Sequence, residues 1–600
     1  MGFQAESISE HIWDVKYRYR LNGKVIDKTI AATWARVAKA VARAEAPAVR
    51  AHWQQAFYEL LADFRFLPGG RILAGAGTQH HVTLFNCFVM KIAEDSMPGI
   101  FTALKEGALT LQQGGGVGYD FSILRPEGTV AKKTGIAASG PVSFMKIWDT
   151  TCSVLLSTGA RRGAMMAVLR CDHPDIETFI AAKADASILR HFNVSVMVSD
   201  AFMQAVAADS DWALVFPLGH AKRDKDEVVM RRWPGYDEPV PCRVYRRVKA
   251  RDLWQSIIRS AYQYAEPGVL FEDTINRMNN LWYREWISAT NPCGEIPLPP
   301  YGACNLGALN LTQFVREPFS PRATLDWSAL EQASAVATRF LDNVIDVSRY
   351  PLKVQQREAL ATRRIGLGFT GLADAFIMLG IKYGSDTSLQ LASRIMQTIA
   401  MNTWQTSVDL ARLKGSFPLF QAADYLAGGF VKTLPADLRE RIRQHGMRNS
   451  HHNTIAPTGT ISILANNVSS GIEPVFSGEY DRFVLKPDGT REKFRVKDYA
   501  LQLWQESGAG GLPPAWVDSQ ALLPADHLNI QQAVQPYIDN AISKTINLPE
   551  DFPFGELSAV YTEAYDKGLK GCTIFRPNPT TGNVLAIADP DEDVDRCCQV

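Results

Sequence analysis

The chain has 600 residues, 46% hydrophobic and 21% charged, with Lys+Arg and Asp+Glu both totalling 63. The formal net charge of zero argues against a non-specific nucleic-acid binder, which needs a basic surplus, and leaves local basic clusters free to hold phosphates. No apolar run reaches transmembrane length, and the first ten residues hold Glu6 and Glu10 with no basic residue, so neither a membrane span nor a signal peptide is expected and the chain is placed in the cytoplasm.

Nine cysteines, an odd and scattered set with no CxxC pair, argue against a secreted disulfide scaffold and a structural zinc site. In a reducing compartment, such cysteines are expected to be catalytic or redox-active, and no side-chain metal site is expected.

Residues 1–65 read as a helical region. Thr33 to Ala44 and Gln54 to Phe64 carry apolar residues at helical spacing. The reading is a packing cap, with no Gly-rich phosphate loop. Residues 66–90 change character, with Leu67-Pro68-Gly69-Gly70-Arg71 and Ala74-Gly75-Ala76-Gly77-Thr78 allowing close approach of backbone to a ligand. Cys87, after Asn86, opens a short apolar run to Met90 that reads as a buried strand, in which a lone cysteine is usually core filler.

Gly114 to Gly118 follows a helix end at Thr110 to Gln113, so the strand that a dinucleotide fingerprint needs is missing and a Rossmann reading is rejected. Backbone N–H groups of that glycine run remain available to a ligand. Lys132 and Lys133 lie just beyond. A helix around Phe144 to Ser153 leads to Gly159-Ala160-Arg161-Arg162-Gly163, where two arginines between glycines form a loop suited to sensing a base or phosphate. Arg231, Arg232, Arg243, Arg246, Arg247 and Lys249 read as a solvated basic face.

Asn291-Pro292-Cys293-Gly294-Glu295 dominates the middle of the chain, with Cys304 eleven residues after Cys293. Pro292, Gly294, Pro297, Pro299, Pro300 and Gly302 forbid a regular helix or central strand. In an extended backbone, Asn291, Cys293 and Glu295 project to one side and could face one ligand together. A carboxylate can take a proton, an amide can orient a hydroxyl, and sulfur can do nucleophilic or one-electron chemistry. A buried cysteine in a tight turn is the bland alternative.

Leu325 to Val347, Ala359 to Leu379 and Ser385 to Lys414 read as helices, the last ending at Gly415. Ala456 to Ser462 offers hydroxyls and a glycine ahead of an apolar segment. That pattern suits either anion binding by backbone N–H or a plain Ser/Thr cap. Residues 581–600 read as a flexible tail ending in adjacent Cys597-Cys598.

Taken in order, LPGGRILAGAGT, NCFV, GGGVGYDFSILRP, RRGAMMAVLRCDHPDIETFI, NPCGEIPLPPYGACNLGALNL, APTGTISI with SSGIEPVF, and KGCTIFRPN resemble the catalytic chain of ribonucleotide reductases, most closely the adenosylcobalamin-dependent class II. The resemblance covers roughly residues 10 to 580. It implies a ten-stranded α/β barrel of two antiparallel five-stranded halves, with a central finger loop and a helical N-terminal flank. The catalytic domain would span 66–580.

The resemblance also implies roles. Cys293 matches the thiyl-radical cysteine, Glu295 the acceptor of the 3′-OH proton, and Asn291 the amide that orients the sugar. Cys87 and Cys304 match the pair that closes to a disulfide. Gly70, Arg71, Asn86, Gly116 and the loop Pro457, Thr458, Gly459, Thr460 and Ile461 match substrate contacts. Arg125, Lys132, Arg161 and Arg162 fall where the family handles a deoxynucleotide or ATP effector. Adenosylcobalamin as cofactor, a thioredoxin-type reductant and a homodimer are implied in the same way, with diphosphate the expected substrate form.

Two departures stand out. The tail cysteines are adjacent where the family usually spaces them, which would strain a bond between them. An N-terminal ATP-binding module is missing, so specificity control without an overall switch is expected. One rival reading is a chain served by a separate radical-generating metal subunit. It lacks the expected tyrosine pair, for which Phe575-Arg576 stands here. Another is a nucleotide-binding regulator without catalysis, which would have no use for Cys87, Cys293, Glu295 and Cys304 together.

Overall fold

A computed structural model of the chain describes residues 7–578 except 131–134, 136, 158–160, 186, 219–226 and 486–490. Two helices, α1 (Ile30–Val41) and α2 (Arg50–Leu61), form much of the N-terminal region. Thr29 caps α1 by accepting from Ala32 N–H at 3.2 Å, and Ile30, Trp34, Val37, Ala38 and Val41 line its buried stripe. Glu45, just beyond α1, is buried against Arg339, Asn343 and Lys414 and ties this region to the central helices.

The sheet follows in chain order. It begins with β1 (Phe66–Pro68), the short α3 (Gly70–Gly75), β2 (Cys87–Val89), α4 (Met97–Gln112), β3 (Gly116–Asp120), α5 (Gly140–Val154), β4 (Met165–Arg170), β5 (Phe192–Val198) and β6 (Gly268–Phe271). After these come the hairpin β7 (Ala289–Thr290) and β8 (Pro297–Leu298), β9 (Ala303–Asn310), α6 (Trp327–Val347), α7 (Lys353–Thr362), β10 (Ile365–Thr370), α8 (Leu372–Met378), α9 (Asp386–Lys414), α10 (Gly459–Leu464), β11 (Thr545–Asn547) and β12 (Gly571–Phe575).

Among the described residues, ten strands share one mixed sheet in the order β10-β9-β2-β3-β4-β5-β6-β12-β11, with β1 on β9. β2 to β6 run parallel. β9 and β12 pair antiparallel to the two edges of that block, and each carries a parallel partner of its own, β10 and β11. Isolated parallel bridges at Leu367–Asn453 and Ile455–Ile542 carry pairing onward from β10. β4, β9 and β10 are buried along their whole length, as sheet strands covered on both faces must be.

The stretch Ala359 to Leu379, read from the sequence as one helix, is instead the end of α7, all of β10, and α8. Its apolar spacing fits both periods, and packing decides: a Cβ on Gly368 would overlap the Thr454 carbonyl, so only glycine lets this strand lie against 453–455. The helix expected from Ser385 forms as α9, with Ser385 capping Ser388 N–H and Gly415 at φ 84° ending it. Its buried face includes Ile395, Ile399, Trp404 and Val408, and each such side chain contributes about 1.5–3 kcal/mol by leaving water.

The basic cluster is largely on the surface: Arg246 pairs with Glu177, Arg247 with Glu227, and Lys249 with Asp211. Arg231 and Arg232 differ, resting over the rings of Trp212 and Trp286.

Candidate active site

The hairpin β7–β8 presents residues 291–296 as a loop across the sheet's parallel block. A Cβ on Gly118 would collide with the Thr290 carbonyl, so glycine in β3 is what admits the loop this close. The loop is tighter than the extended stretch read from its sequence. Gly294 adopts φ 81° and its N–H bonds to the Asn291 carbonyl at 3.1 Å. Asn291 and Glu295 therefore converge through a turn rather than through strand alternation.

Asn291 closes that turn. Its Oδ1 accepts from Ile296 N–H at 2.9 Å, while its Nδ2 donates to Glu295 Oε2 at 2.7 Å and to Cys87 Sγ at 3.2 Å. Asn291 and Glu295 are both buried. The loop is anchored from distant segments: Glu295 C=O accepts from Thr454 Oγ1 and from Ala541 N–H, both at 2.9 Å, and Asn193 Nδ2 donates to Pro292 C=O at 2.8 Å. Sequence reading missed Thr454, Ala541 and Asn193, and no local pattern marks them, since each is about 100 or more positions from the loop.

Cys87 in β2 and Cys304 in β9 stand directly opposite one another across an antiparallel pair. Cα atoms of such partners are about 4.5–5.5 Å apart, inside the range a disulfide needs. Gly116 is the register partner of Cys87 on the other side, so Cys304, Cys87 and Gly116 sit side by side on three neighbouring strands.

Burial, joined by the Glu295 carboxylate, pushes the Cys87 thiol well above its ordinary range, with the Asn291 hydrogen bond opposing. Burial likewise pushes Cys304 up. Both sulfurs therefore keep their protons at neutral pH. Cys293 is half-buried, whereas the other described cysteines are buried.

An apolar cluster around the thiols includes Val89, Met166, Ile296 and Leu306, and Ala456 packs against it. Ala456 leads into the second loop. Thr458, at φ 54°, precedes α10 but does not cap it. Its Oγ1 meets Thr370 Oγ1 at 2.9 Å and accepts from Gly471 N–H at 2.9 Å. The plain-cap reading thus fails, and the strained threonine is held by two other segments. Thr460 and Ile461 are buried, and Pro457 and Gly459 half-buried.

Half-buried Gly70 opens α3, and Arg71, which is buried, lies with its guanidinium against Gly114. Asn86 C=O accepts from Gly116 N–H at 2.8 Å, while its buried Oδ1 has no hydrogen-bond partner among the described residues. A buried acceptor without a protein partner is one that water or a bound polar group would satisfy.

The effector candidates are more scattered. Arg125 is engaged by the Asp95 carboxylate and donates to the Asp95 carbonyl at 2.7 Å. Arg161 and Arg162 form a two-residue strand paired with Leu156–Ser157. Lys132, Cys597 and Cys598 lie outside the described residues.

Chemically, the arrangement can support thiol redox chemistry: two protonated thiols in bonding register, a third at a loop tip, and a carboxylate and amide among them. The chain matches the family descriptions "Ribonucleotide reductase, barrel domain" over residues 85–575 and "Ribonucleotide reductase, all-alpha domain" over residues 5–81. It belongs to the ribonucleotide reductase large-chain family.

Among its relatives, the vitamin B12-dependent ribonucleoside-diphosphate reductase of Mycobacterium tuberculosis is 37% identical, with 92% of this chain and 75% of the relative covered. The protein of the same name from Thermoplasma acidophilum is 36% identical, covering 89% of this chain and 66% of the relative. A ribonucleoside-diphosphate reductase subunit alpha from Chlamydia muridarum is 27% identical, covering 91% of this chain and 56% of the relative. Among the described residues, no helix is long and apolar enough to cross a membrane.

Proposed function

We propose that the chain reduces ribonucleoside diphosphates to 2′-deoxyribonucleotides, with adenosylcobalamin starting the radical. The observation that carries this reading is the direct opposition of Cys87 and Cys304 beside Asn291, Glu295 and the loop-tip Cys293. Names of the relatives that share more than a third of their residues with this chain point to the cobalamin-dependent form.

When bound, adenosylcobalamin supplies a carbon radical by homolysis of its cobalt–carbon bond. The residues around Cys293 fit such a neighbour. Cys293 is the described cysteine left half-exposed, and nothing lies within 4 Å of a Cβ placed on Gly294. Where a tyrosine relay from another subunit would end, Arg576 rests on the Tyr262 ring at 3.9 Å beside Phe575.

Cys293 takes the 3′ hydrogen of the ribose as a thiyl radical. Glu295 accepts the 3′-OH proton, and Asn291 holds Glu295 and the sugar in register. Cys87 and Cys304 need S–H bonds for their part, since they deliver two electrons and protons as the 2′-OH leaves as water. Their burial preserves those bonds. Pro457, Thr458, Gly459, Thr460 and Ile461 hold the phosphates, with Asn86, Gly116, Gly70 and Arg71 shaping the substrate side. Net balance is ribonucleotide plus dithiol to deoxyribonucleotide, disulfide and water.

We assign residues 66–580 to the catalytic domain, 1–65 to a helical flank, and 581–600 to a tail whose Cys597 and Cys598 pass electrons from a thioredoxin-type reductant. The sheet closes into a barrel of two five-stranded halves, a reading supported by the bridges at Leu367–Asn453 and Ile455–Ile542. A second copy covers the outer face of α4 and α5, where Met97, Phe101 and Val154 are 57%, 45% and 76% exposed. A deoxynucleotide or ATP effector binds near Arg125, Lys132, Arg161 and Arg162. The enzyme acts in the cytoplasm.

The test is anaerobic turnover with CDP, adenosylcobalamin, a small dithiol and a panel of deoxynucleotides. Deoxycytidine product that requires the cobalamin and vanishes in Cys293→Ser supports the reading. Absence of product under every effector overturns it.

A further inference from the structure

The opposed cysteines have unequal surroundings. β9 and β10 pair in parallel from Asn305–Ile365 to Asn310–Thr370, and Arg364, the residue before β10, falls one step beyond that register, level with Cys304. Gly366 shares that face: a Cβ there would stand 3.4 Å from Cys304 Sγ. The Arg364 side chain is completely buried and pairs with Glu285 through Nη2, while its Nε and Nη1 have no hydrogen-bond partner among the described residues.

Against the upward push of burial on Cys304, the Arg364 charge pulls the thiol back down; the Glu295 and Asp539 carboxylates add to the push. Cys87 faces Glu295 as well, and there the opposing pull comes from the uncharged Asn291 amide. Cys304 is fully buried, whereas Cys87 keeps 4% of its surface exposed.

We propose that Arg364 gives the oxidised pair a direction, so that an incoming dithiol attacks Cys87 and expels Cys304 as the thiolate. This rests on the reading that Cys87 and Cys304 close to a disulfide. The incoming thiolate bonds to Cys87 Sγ, the Cys87–Cys304 bond breaks, and its electron pair stays on Cys304, the sulfur that feels the Arg364 charge. The second thiol then attacks the mixed disulfide and releases Cys87. Both cysteines take up protons, and the dithiol ends as a disulfide. Exchange favours the better leaving thiolate, and a buried cation beside one sulfur decides which that is. Arg364 touches no substrate in this scheme: it is a positioning residue acting through Cys304.

The test needs no turnover. The full chain is oxidised with diamide, and peptide mapping establishes the Cys87–Cys304 link. It is then pulsed with 2-mercaptoethanol, quenched in acid, alkylated and mapped again. Wild type should carry mercaptoethanol on Cys87 and alkyl on Cys304 by roughly ten to one or more. Arg364→Gln should slow opening by roughly tenfold and even out the two adducts, and Arg364→Lys should restore the bias. An adduct chiefly on Cys304, or an unchanged rate and ratio in Arg364→Gln, overturns the proposal. Should that variant not fold, Arg364→Met, which keeps the length of the side chain and removes its charge, takes its place with the same expected loss of bias. Failure of the Cys87–Cys304 link to form under oxidation sinks the disulfide reading itself, and the proposal with it.

Discussion

Asn291 is the residue whose replacement discriminates most sharply between a loop-holding and a substrate-binding role. In Asn291→Ala, the buried Ile296 N–H loses its 2.9 Å acceptor and Glu295 loses its 2.7 Å donor. An unsatisfied buried N–H costs about 1–3 kcal/mol, and a lost hydrogen bond to a charged group about 1.5–3 kcal/mol. Together these remove roughly 2.5–6 kcal/mol of local stability from the six residues of the loop. The loop should then shift by an ångström or so, and misplacement on that scale costs on the order of 10²-fold in rate.

The expected result is therefore a kcat at least about 100-fold lower, with KM changed far less. Asn291→Asp keeps an acceptor for Ile296 but sets a second carboxylate against Glu295, so one of the two must hold a proton. That variant should be inactive at high pH and recover activity as pH falls. The assay is initial rates of deoxycytidine formation on pre-reduced enzyme across pH, with denaturant melts to confirm folding. If Asn291→Ala keeps kcat within about threefold and only raises KM, the amide serves substrate alone and the loop-holding argument is wrong.

Gly118→Ala should abolish turnover while leaving the helical content of the protein intact, because the new methyl group meets the Thr290 carbonyl and displaces the loop; activity near wild type would contradict that packing. Glu45, held at about 2 by Arg339, Asn343 and Lys414 although burial pushes the other way, contributes about 3 kcal/mol relative to its ordinary 4.5. Its folded value is depressed, so the contribution is full above about pH 5 and fades as pH falls toward 2. The stability gap between wild type and Glu45→Gln in urea should therefore narrow steadily below pH 5, and a gap independent of pH would refute the assignment. Thr458→Val should raise KM for the nucleotide more than it lowers kcat, since Thr458 Oγ1 holds Gly471 N–H and Thr370; an unchanged KM would remove this loop from phosphate binding. Replacing Cys597 and Cys598 together by serine should spare single turnover and stop thioredoxin-driven cycling, and unimpaired multiple turnover would exclude the tail as a shuttle.

Much of the site was legible as a list of residues. Prolines and glycines around Cys293 forbid regular structure wherever the chain goes, so a stiff loop presenting sulfur followed from local sterics alone. The α9 helix was equally legible, because Ser385 and Gly415 act on their own neighbours.

Sequence alone did not determine which distant groups meet. Cys87 and Cys304 are separated by 217 positions, and only strand register across β2 and β9 makes them partners. The stretch from Ala359 to Leu379 carries a pattern compatible with helix and strand, and the Thr454 carbonyl packed against Gly368 settles it. From sequence, the loop at Thr458 suits an anion site or an ordinary cap equally, and Thr370 and Gly471, by claiming its hydroxyl, remove the cap. Arg364 beside Cys304 has no local signature at all. Local propensity is written in neighbouring residues, whereas register, burial and charge pairing depend on segments that become neighbours only once the sheet has formed.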